Sequence, residues 1–267
     1  MGALPTHIQV MKIAILADIH GNLLALKAVL ADVARQGVDQ IVNLGDILSG
    51  PLQPAETADC LMELDLITIC GNHERQVLAL LSGPDSHIDA TTTDGYTATQ
   101  LSPAHIGWLK SLPSSLALND EVLLCHGTPN SDLRYWLETV VPGGMSRESC
   151  LGVRAATAQE VAERLGDVRA SLVLCGHTHV PRVVHSGCTL IVNPGSVGLQ
   201  AYDDVHPLPH IIETGAPHAR YAVVEKIDTG WKVDLQMIPY DHQSQAEVAR
   251  RRGRHDWAHA LTTGRAI

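Results

Sequence analysis

The first regular segment of the chain is Lys12-Ile13-Ala14-Ile15-Leu16-Ala17-Asp18-Ile19-His20. Residues 12–17 are an apolar run without polar alternation, which predicts a strand that is buried on both faces. Such strands are typical of parallel sheets covered by helices, and a helical pattern begins soon afterwards at Leu23. The chain therefore begins as an α/β protein, with Asp18 and His20 directly after its first strand.

The alternation of strand and helix continues toward the middle of the chain. The sequence predicts further strands over residues 41–44, 67–70, 122–125 and 172–175. It predicts a helix over residues 54–64, a helix that follows the strand 67–70 and continues to about residue 81, and helices that begin near residues 103 and 157. After residue 180 the pattern becomes β-rich, with strands over 182–185, 189–192, 221–227 and 231–238. This order predicts a four-layer α/β/β/α sandwich of two packed mixed sheets.

Several segments are expected to differ from this core pattern. Residues 1–10 are a ragged leader that we expect to lie outside the fold, and residues 11–242 form the predicted domain. Residues 243–267 are predicted to hold a helical tail packed on the same domain. The polar stretch 83–100 is predicted to be a loop over the site. Residues 201–219 are predicted to be a long loop that either partly covers the site without providing a metal ligand or is only a solvated surface excursion.

Composition limits the classes of protein to which the chain can belong. Of its 267 residues, 45% are hydrophobic and 18% are charged, which provides for a sizeable core and is unlike a disordered segment. No apolar run approaches the ~20 residues that a membrane span needs, and the start lacks the pattern of a secretory signal. The formal net charge of −10 disfavours an extended nucleic acid as partner. If the protein acts on phosphate groups, the positive charge that binds them must then be confined to the site, and a metal ion is the obvious source of that charge.

The cysteines favour free thiols. The chain has 6 Cys and no C-x-x-C pair, and three of them, Cys70, Cys125 and Cys175, end apolar runs. This pattern is typical of buried thiols in a reducing compartment. We therefore expect no disulfide framework and a cytoplasmic protein.

Five short motifs each follow a predicted strand directly. Because ligands in open α/β sheets gather at the carboxyl ends of strands, the five loops are expected to converge on one crevice. Each motif alone is more typical of a turn or a helix cap, but a His pair at i and i+2 on such a loop has few structural uses. Their side chains offer oxygen and imidazole nitrogen, which suits Mn, Fe, Zn or Co rather than a structural zinc knuckle. The motifs are Asp18-Ile19-His20, Gly45-Asp46, Gly71-Asn72-His73-Glu74, His126-Gly127 and Gly176-His177-Thr178-His179.

The motifs in this order resemble the calcineurin-like metallophosphoesterase superfamily, whose pattern is D-x-H, G-D, G-N-H-E/D, H and G-H-x-H. The chain is most similar to the small bacterial and archaeal phosphodiesterase branch of that superfamily. This closer resemblance rests on residues 44–51 (Leu-Gly-Asp-Ile-Leu-Ser-Gly-Pro), on Pro54-x-Glu56 and on residues 193–198 (Asn-Pro-Gly-Ser-Val-Gly). It covers about residues 11–240 of the chain.

The resemblance implies a centre of two divalent transition metal ions, which can be Mn, Fe, Zn, Co or Ni. Asp46 would bridge ions about 3.5–4 Å apart, where a shared hydroxide can form near neutral pH and attack phosphorus in line. His73 would lie with Asn72 beside the phosphate, where a protonated imidazole can stabilise charge or protonate the leaving oxygen; the alternative for His73 is a structural role. Glu74 is expected to be a first-turn helix acid rather than a catalyst. The implied ligands are Asp18, His20 and His179 for the first metal, and Asn72, His126 and His177 for the second.

The resemblance implies a phosphoesterase, and we expect a phosphodiesterase that acts on small phosphodiesters or nucleotides. The alternatives are a dinucleoside polyphosphate hydrolase, a phosphomonoesterase or protein phosphatase and, more remotely, a non-catalytic binding scaffold. Protein Ser/Thr phosphatases carry an acid and an arginine just after the bridging Asp, whereas Ile47-Leu48-Ser49 follows here, which disfavours a phosphoprotein. Scaffold relatives lose metal ligands, and here every expected ligand is present. The expected partner is a small phosphate ester without a membrane, and the sequence leaves the oligomeric state open.

Overall fold

The computed structural model describes residues 11–83, 88–143 and 151–267, so the predicted leader 1–10 lies outside the described residues. Its strands are β1 (Lys12–Leu16), β2 (Gln40–Asn43), β3 (Ile67–Thr68), β4 (Ser115–Ala117), β5 (Val122–Cys125), β6 (Glu138–Val140), β7 (Val153–Ala155), β8 (Leu172–Leu174), β9 (Arg182–Ser186), β10 (Thr189–Asn193), β11 (Ala201–Asp204), β12 (His210–Glu213), β13 (Ala219–Ile227) and β14 (Gly230–Ile238). Its helices are α1 (Leu23–Gln36), α2 (Pro54–Leu64), α3 (Asn72–Ser82), α4 (Thr93–Gln100), α5 (Pro103–Ser111), α6 (Ala158–Leu165), α7 (His242–Arg251) and α8 (His255–Thr263).

Two five-stranded mixed sheets form the centre of the structure. The first has the order β14-β13-β1-β2-β3, in which β1, β2 and β3 are parallel, β13 is antiparallel to β1, and β14 is antiparallel to β13. The second has the order β4-β5-β8-β10-β9, in which β5, β8 and β10 are parallel and each edge strand is antiparallel to its neighbour. The predicted pair of mixed sheets is therefore confirmed.

The first strand shows how these sheets become layers. Ile13 and Ile15 belong to the core between the two sheets, together with residues of β5, β8 and β10. Ala14 and Leu16 belong to the core on the opposite face, which packs against α1, α2 and α5. On the outer face of the second sheet, Val173 packs with residues of α6. Because successive side chains of a strand point to opposite faces, this burial produces the predicted four-layer α/β/β/α sandwich.

The segment 201–219 is not the structureless loop that its composition predicts. β11 and β12 pair as an antiparallel hairpin, with Ala201 opposite Glu213. Pro207 and Pro209 stand in the turn between the two strands, where a proline removes no hydrogen bond from the ladder. The prolines and acidic residues that suggested a loop therefore mark a hairpin with a polar turn.

Two other predicted segments also differ from the structure. Part of the stretch 83–100, predicted to be a loop, is the helix α4, because the Thr92 side chain caps it by accepting a hydrogen bond from the Gly95 N–H at 3.1 Å. Residues 84–87 of that stretch lie outside the described residues. The single predicted helical tail is two helices, α7 and α8, which are separated at Gly253 by a left-handed backbone with φ of 75°.

The two C-terminal helices pack beside the loops that follow β2 and β10. Leu52, Leu199 and Ala201 form one apolar cluster with Trp257 and Leu261 of α8. This contact places α8 next to the motif-bearing edge of the sheets. Within the described ranges, no helix combines the length and apolarity that crossing a membrane requires.

The described cysteines are free thiols, as the sequence predicts: Cys60, Cys70, Cys125, Cys175 and Cys188. Cys125 and Cys175 are buried, whereas Cys188 is exposed. Burial raises the pKa of the Cys70 thiol to about 12, so this side chain is a poor nucleophile. Cys150 lies outside the described residues.

Candidate active site

The five predicted motifs meet at one edge of the molecule, where the carboxyl ends of β1, β2, β3, β5 and β8 come together. Two groups of donor atoms form there, and within each group the atoms lie within 4.8 Å of one another. Asn72, at the start of α3, adds an amide to the second group, because its side-chain oxygen lies 3.1 Å from Nε2 of His126. The structure thus brings together every residue predicted to bind metal. The first group is Asp18, His20 and His179, and the second is Asp46, His126 and His177.

A left-handed backbone distinguishes these loops. Outside the site, one further non-glycine residue of the described chain has a left-handed backbone conformation. It is Asp65, at the end of α2, with φ of 48°. Each such residue costs about 1–3 kcal/mol, so its surroundings must hold it in place. The loops brace one another, because the His20 N–H donates to the Asp46 carbonyl at 3.0 Å. The site residues concerned are Asp18 (φ 56°), His20 (52°), Asp46 (53°), His177 (69°) and His179 (57°).

Each histidine of the two groups has one ring nitrogen at a backbone carbonyl. A carbonyl only accepts, so this nitrogen must carry the proton. The other nitrogen of each neutral ring then presents a lone pair to the cluster, which is the tautomer that a metal ligand needs. The pairs are His20 Nδ1 with Ser49 O (2.7 Å), His126 Nδ1 with Leu44 O (2.8 Å), His179 Nδ1 with Leu199 O (2.7 Å) and His177 Nε2 with Leu133 O (3.1 Å).

The electron-rich atoms of the cluster lie unusually close together. Nε2 of His20 and Nε2 of His179 are 3.1 Å apart. The Asn72 side-chain amide also faces this cluster, and in the orientation that satisfies its hydrogen bonds its nitrogen donates to Nδ1 of His177 at 3.0 Å and to Oδ2 of Asp46 at 3.3 Å. Lone pairs at the separation of the two Nε2 atoms repel unless a cation lies between them, and ligands about 2.1 Å from one ion are about 3 Å apart. The donor set therefore fits a divalent ion at each group.

The pKa values of the buried rings follow from the same crowding. Burial and the neighbouring His179 lower the pKa of His20 to about 3, and burial and His126 lower that of His177 to about 4. Burial also opposes a charge on His126, but the Asp46 carboxylate, 3.1 Å away, outweighs it and raises the pKa to about 10. The buried carboxylates thus attract one positive charge to His126, and a metal ion competes with a proton for that position.

Comparison with known proteins agrees with this geometry. The model of the calcineurin-like phosphoesterase superfamily domain matches residues 11–208. The chain belongs to this superfamily. Membership supports the hydrolysis of phosphate esters as a general activity.

Solved structures and a protein relative extend the likeness over nearly the whole chain. A metallophosphoesterase from Sphaerobacter thermophilus is 27% identical with a TM-score of 0.72, and the match covers 95% of this chain and 99% of that chain. A hypothetical protein from Pyrococcus horikoshii OT3 shares the fold with a TM-score of 0.64 at 18% identity, covering 96% of this chain and 100% of that one. An uncharacterised protein of Methanocaldococcus jannaschii is 25% identical over 253 residues, which are 92% of this chain and 94% of that protein.

His73 lies at the margin of the phosphoesterase site, at the start of α3. Its backbone N–H donates to Oδ1 of Asp46 at 3.0 Å, and its ring is 5.6 Å from that of His20 between centroids. Its Nδ1 lies 2.7 Å from Oδ1 of Asp94, which also accepts a hydrogen bond from the Ser49 hydroxyl at 2.5 Å. Burial lowers the pKa of His73, but Asp46 and Asp94 outweigh it and raise the pKa to about 9.

Asp94 is the functional candidate that sequence reasoning missed. It lies on α4, inside the stretch predicted to be a loop, and no motif connects it to the strand ends. The signal that was available is Thr92, whose side chain caps α4 and so places Asp94 in the first turn of a helix.

Glu74 holds the loop of Asp46 in place, as a first-turn acid of α3. Its side chain is buried, and it accepts hydrogen bonds at 2.8 Å from the backbone N–H groups of Asp46, Ile47 and Gly71. Gly71 itself must be glycine, because a Cβ there would collide with the carboxylate and the backbone nitrogen of Asp46. The expected structural role of Glu74 agrees with these contacts.

The paired groups open into one cavity of about 1010 Å³. Three aromatic rings from separate parts of the chain each pack against a histidine of the groups. They are Trp257 of α8 on His20 (6.0 Å between ring centroids), Tyr202 of the hairpin on His179 (4.8 Å) and Tyr135 on His177 (4.9 Å). The hairpin and α8 are therefore walls of the site rather than distant surface features.

We predict that Glu74→Gln lowers the free energy of unfolding by about 1–3 kcal/mol, because the amide nitrogen of Gln would face a backbone N–H and leave it without an acceptor. Urea unfolding followed by circular dichroism measures this change. The matched control is Glu63→Gln on the exposed face of α2. Equal stability of the two variants would contradict the role assigned to Glu74.

Proposed function

We propose that the protein is a phosphodiesterase that uses two divalent transition metal ions and acts on small phosphodiesters or nucleotides. One observation carries the proposal: two donor groups of nitrogen and carboxylate oxygen lie side by side at the base of a single large cavity. The donor chemistry suits Mn, Fe, Zn, Co or Ni, since no thiolate belongs to either group.

Each ligand has a place in this proposal. Asp46 would be shared by the two ions, because its Oδ2 is 3.1 Å from His126 Nε2 of the second group and its backbone carbonyl accepts from the His20 N–H of the first. When bound, the ions supply Lewis acidity toward the ester oxygens and a nucleophile at neutral pH. Asp18, His20 and His179 hold the first ion, and Asn72, His126 and His177 hold the second.

His73 is the proposed proton donor to the leaving oxygen. Its Nδ1 bonds to Asp94, so the ring presents Nε2 toward the cavity that it lines. The two carboxylates beside it favour the protonated ring, which also complements the negative charge of a phosphate ester. Asp94 acts through His73 by fixing its tautomer and orientation, and the Ser49 hydroxyl fixes Asp94 in turn.

The shape and charge of the cavity favour a diester over a polyphosphate. The lining extends past the first group to Trp257 and past the second to Tyr135, which leaves room for an organic group on each side of the phosphorus. Two of the three arginines of the lining are already engaged, since Arg164 donates to backbone carbonyls and Arg254 pairs with Asp256, and Arg134 alone adds an exposed cation. A polyphosphate chain would need free cations in addition to the metal ions, so dinucleoside polyphosphates are the second candidate.

We predict that the wild-type protein with Mn²⁺ hydrolyses bis(4-nitrophenyl) phosphate with a higher kcat/KM than 4-nitrophenyl phosphate. Asp46→Asn is expected to lower kcat/KM for the diester by more than about 10²-fold, because it weakens both metal sites. The matched control is Asp65→Asn, which makes the same change at another residue of left-handed backbone outside the site. A variant Asp46→Asn with wild-type activity and metal content would refute the assignment.

We predict that His73→Ala lowers kcat by about 10²–10⁴-fold while the protein keeps its metal ions. Asp94→Asn should also lower kcat, but by a smaller factor. The loss of kcat in both variants should grow as the leaving group becomes less acidic. Rates for a series of aryl esters measure this dependence. Asp59→Asn is the control, because Asp59 forms the same kind of pair with His105, at 2.8 Å on the surface of α2.

A deficit that is the same for every leaving group would show that His73 stabilises charge instead of donating a proton. Additive deficits in the double variant of His73 and Asp94 would contradict the action of Asp94 through His73, since residues that act as a unit are strongly non-additive.

A further inference from the structure

One end of the cavity is formed by α8, which lies outside the residues 11–208 matched by the family model. Apolar side chains line this end: Leu199, Ala201 and Ala260, together with the large ring of Trp257. Arg254 and Asp256 stand at the edge of this end and bond to each other through two contacts, of 3.0 and 2.5 Å. We call this end of the cavity the α8 pocket.

The α8 pocket lies on the same side of the site as His73. Both contact His20, whose ring is 5.6 Å from His73 and 6.0 Å from Trp257 between centroids. Gly50 provides a second link, because it packs against the Trp257 ring while the preceding Ser49 donates to Asp94, the partner of His73. An ester group that lies beside His73 would therefore be near this pocket, because His73 and Trp257 both contact His20.

We infer that the α8 pocket binds the leaving group of the substrate and fits a planar aromatic group of nucleobase size. The inference rests on the proposed function, in which the leaving oxygen of a phosphate ester lies beside His73. The apolar floor and the tryptophan suit the faces of such a group, as in most small-molecule sites.

Ala260 offers the most direct change to the size of the pocket. It lines the cavity and belongs to neither of the two donor groups, so we expect Ala260→Leu to fill the pocket and Ala260→Val to fill it partly. Ala258 is the matched control, because it is equally buried in the same helix but does not line the cavity. The variant Ala258→Leu therefore reproduces the packing stress without filling the pocket.

Two diesters test the inference: ethyl 4-nitrophenyl phosphate and ethyl 4-methylumbelliferyl phosphate. Their leaving groups are phenols of similar acidity with one ring and two fused rings, and their other ester group is the same. We expect wild-type protein with Mn²⁺ to prefer the two-ring ester in kcat/KM. Ala260→Leu should lower the ratio of the two kcat/KM values by about tenfold or more, the usual effect of one misplaced methyl group in a pocket.

The controls decide the outcome. Ala260→Val should lower the ratio of the two kcat/KM values by less than Ala260→Leu does. If thermal unfolding shows that Ala260→Leu does not fold, Ala260→Val is the variant that tests the inference. Ala258→Leu should keep the wild-type ratio. The same ratio in wild-type protein and in the folded Ala260 variants would overturn the inference alone, whereas failure of the wild type to hydrolyse either ester would overturn the proposed function and this inference with it.

Discussion

The structure depends on the compensation of two buried carboxylates, Asp18 and Asp46, which are 0% and 1% exposed. Removing a carboxylate from water costs several kcal/mol unless positive charge and hydrogen bonds replace the water. Burial raises the pKa of Asp46, yet His126 and His73 outweigh it and hold the pKa well below its usual value. The carboxylates are therefore charged, and the histidine rings and backbone N–H groups around them supply the compensating charge and hydrogen bonds.

The fold provides this compensation by bringing the carboxyl ends of two sheets together. The backbone N–H of His177, from the second sheet, donates to the Asp18 carboxylate of the first at 3.2 Å, and His73 donates in the same way to Asp46. The left-handed backbone conformation of these loop residues is energetically unfavourable by itself. It directs their side chains and N–H groups into one small volume. The large core between the sheets holds the loops in that arrangement, so the stability of the sandwich maintains a strained site.

The residues of the two candidate metal-binding groups could be predicted to lie together because each of them follows a strand end. Asp18 and His177 each follow an apolar run directly, so the prediction of a strand was also the prediction of a position at the sheet edge. The same reasoning missed Asp94 and Trp257, because their places depend on how helices pack. Asp94 reaches His73 from a helix after an intervening stretch, and Trp257 reaches His20 from the end of the chain. The hairpin β11–β12 was missed because its acidic residues and the two prolines of its turn give the segment the composition of a loop.

A crystal grown with Mn²⁺ and measured at the manganese absorption edge tests the central claim most directly. The account predicts two anomalous peaks in each chain, one within the group Asp18, His20 and His179 and the other within Asp46, His126 and His177. A single peak, or manganese bound only outside these two groups, would contradict it.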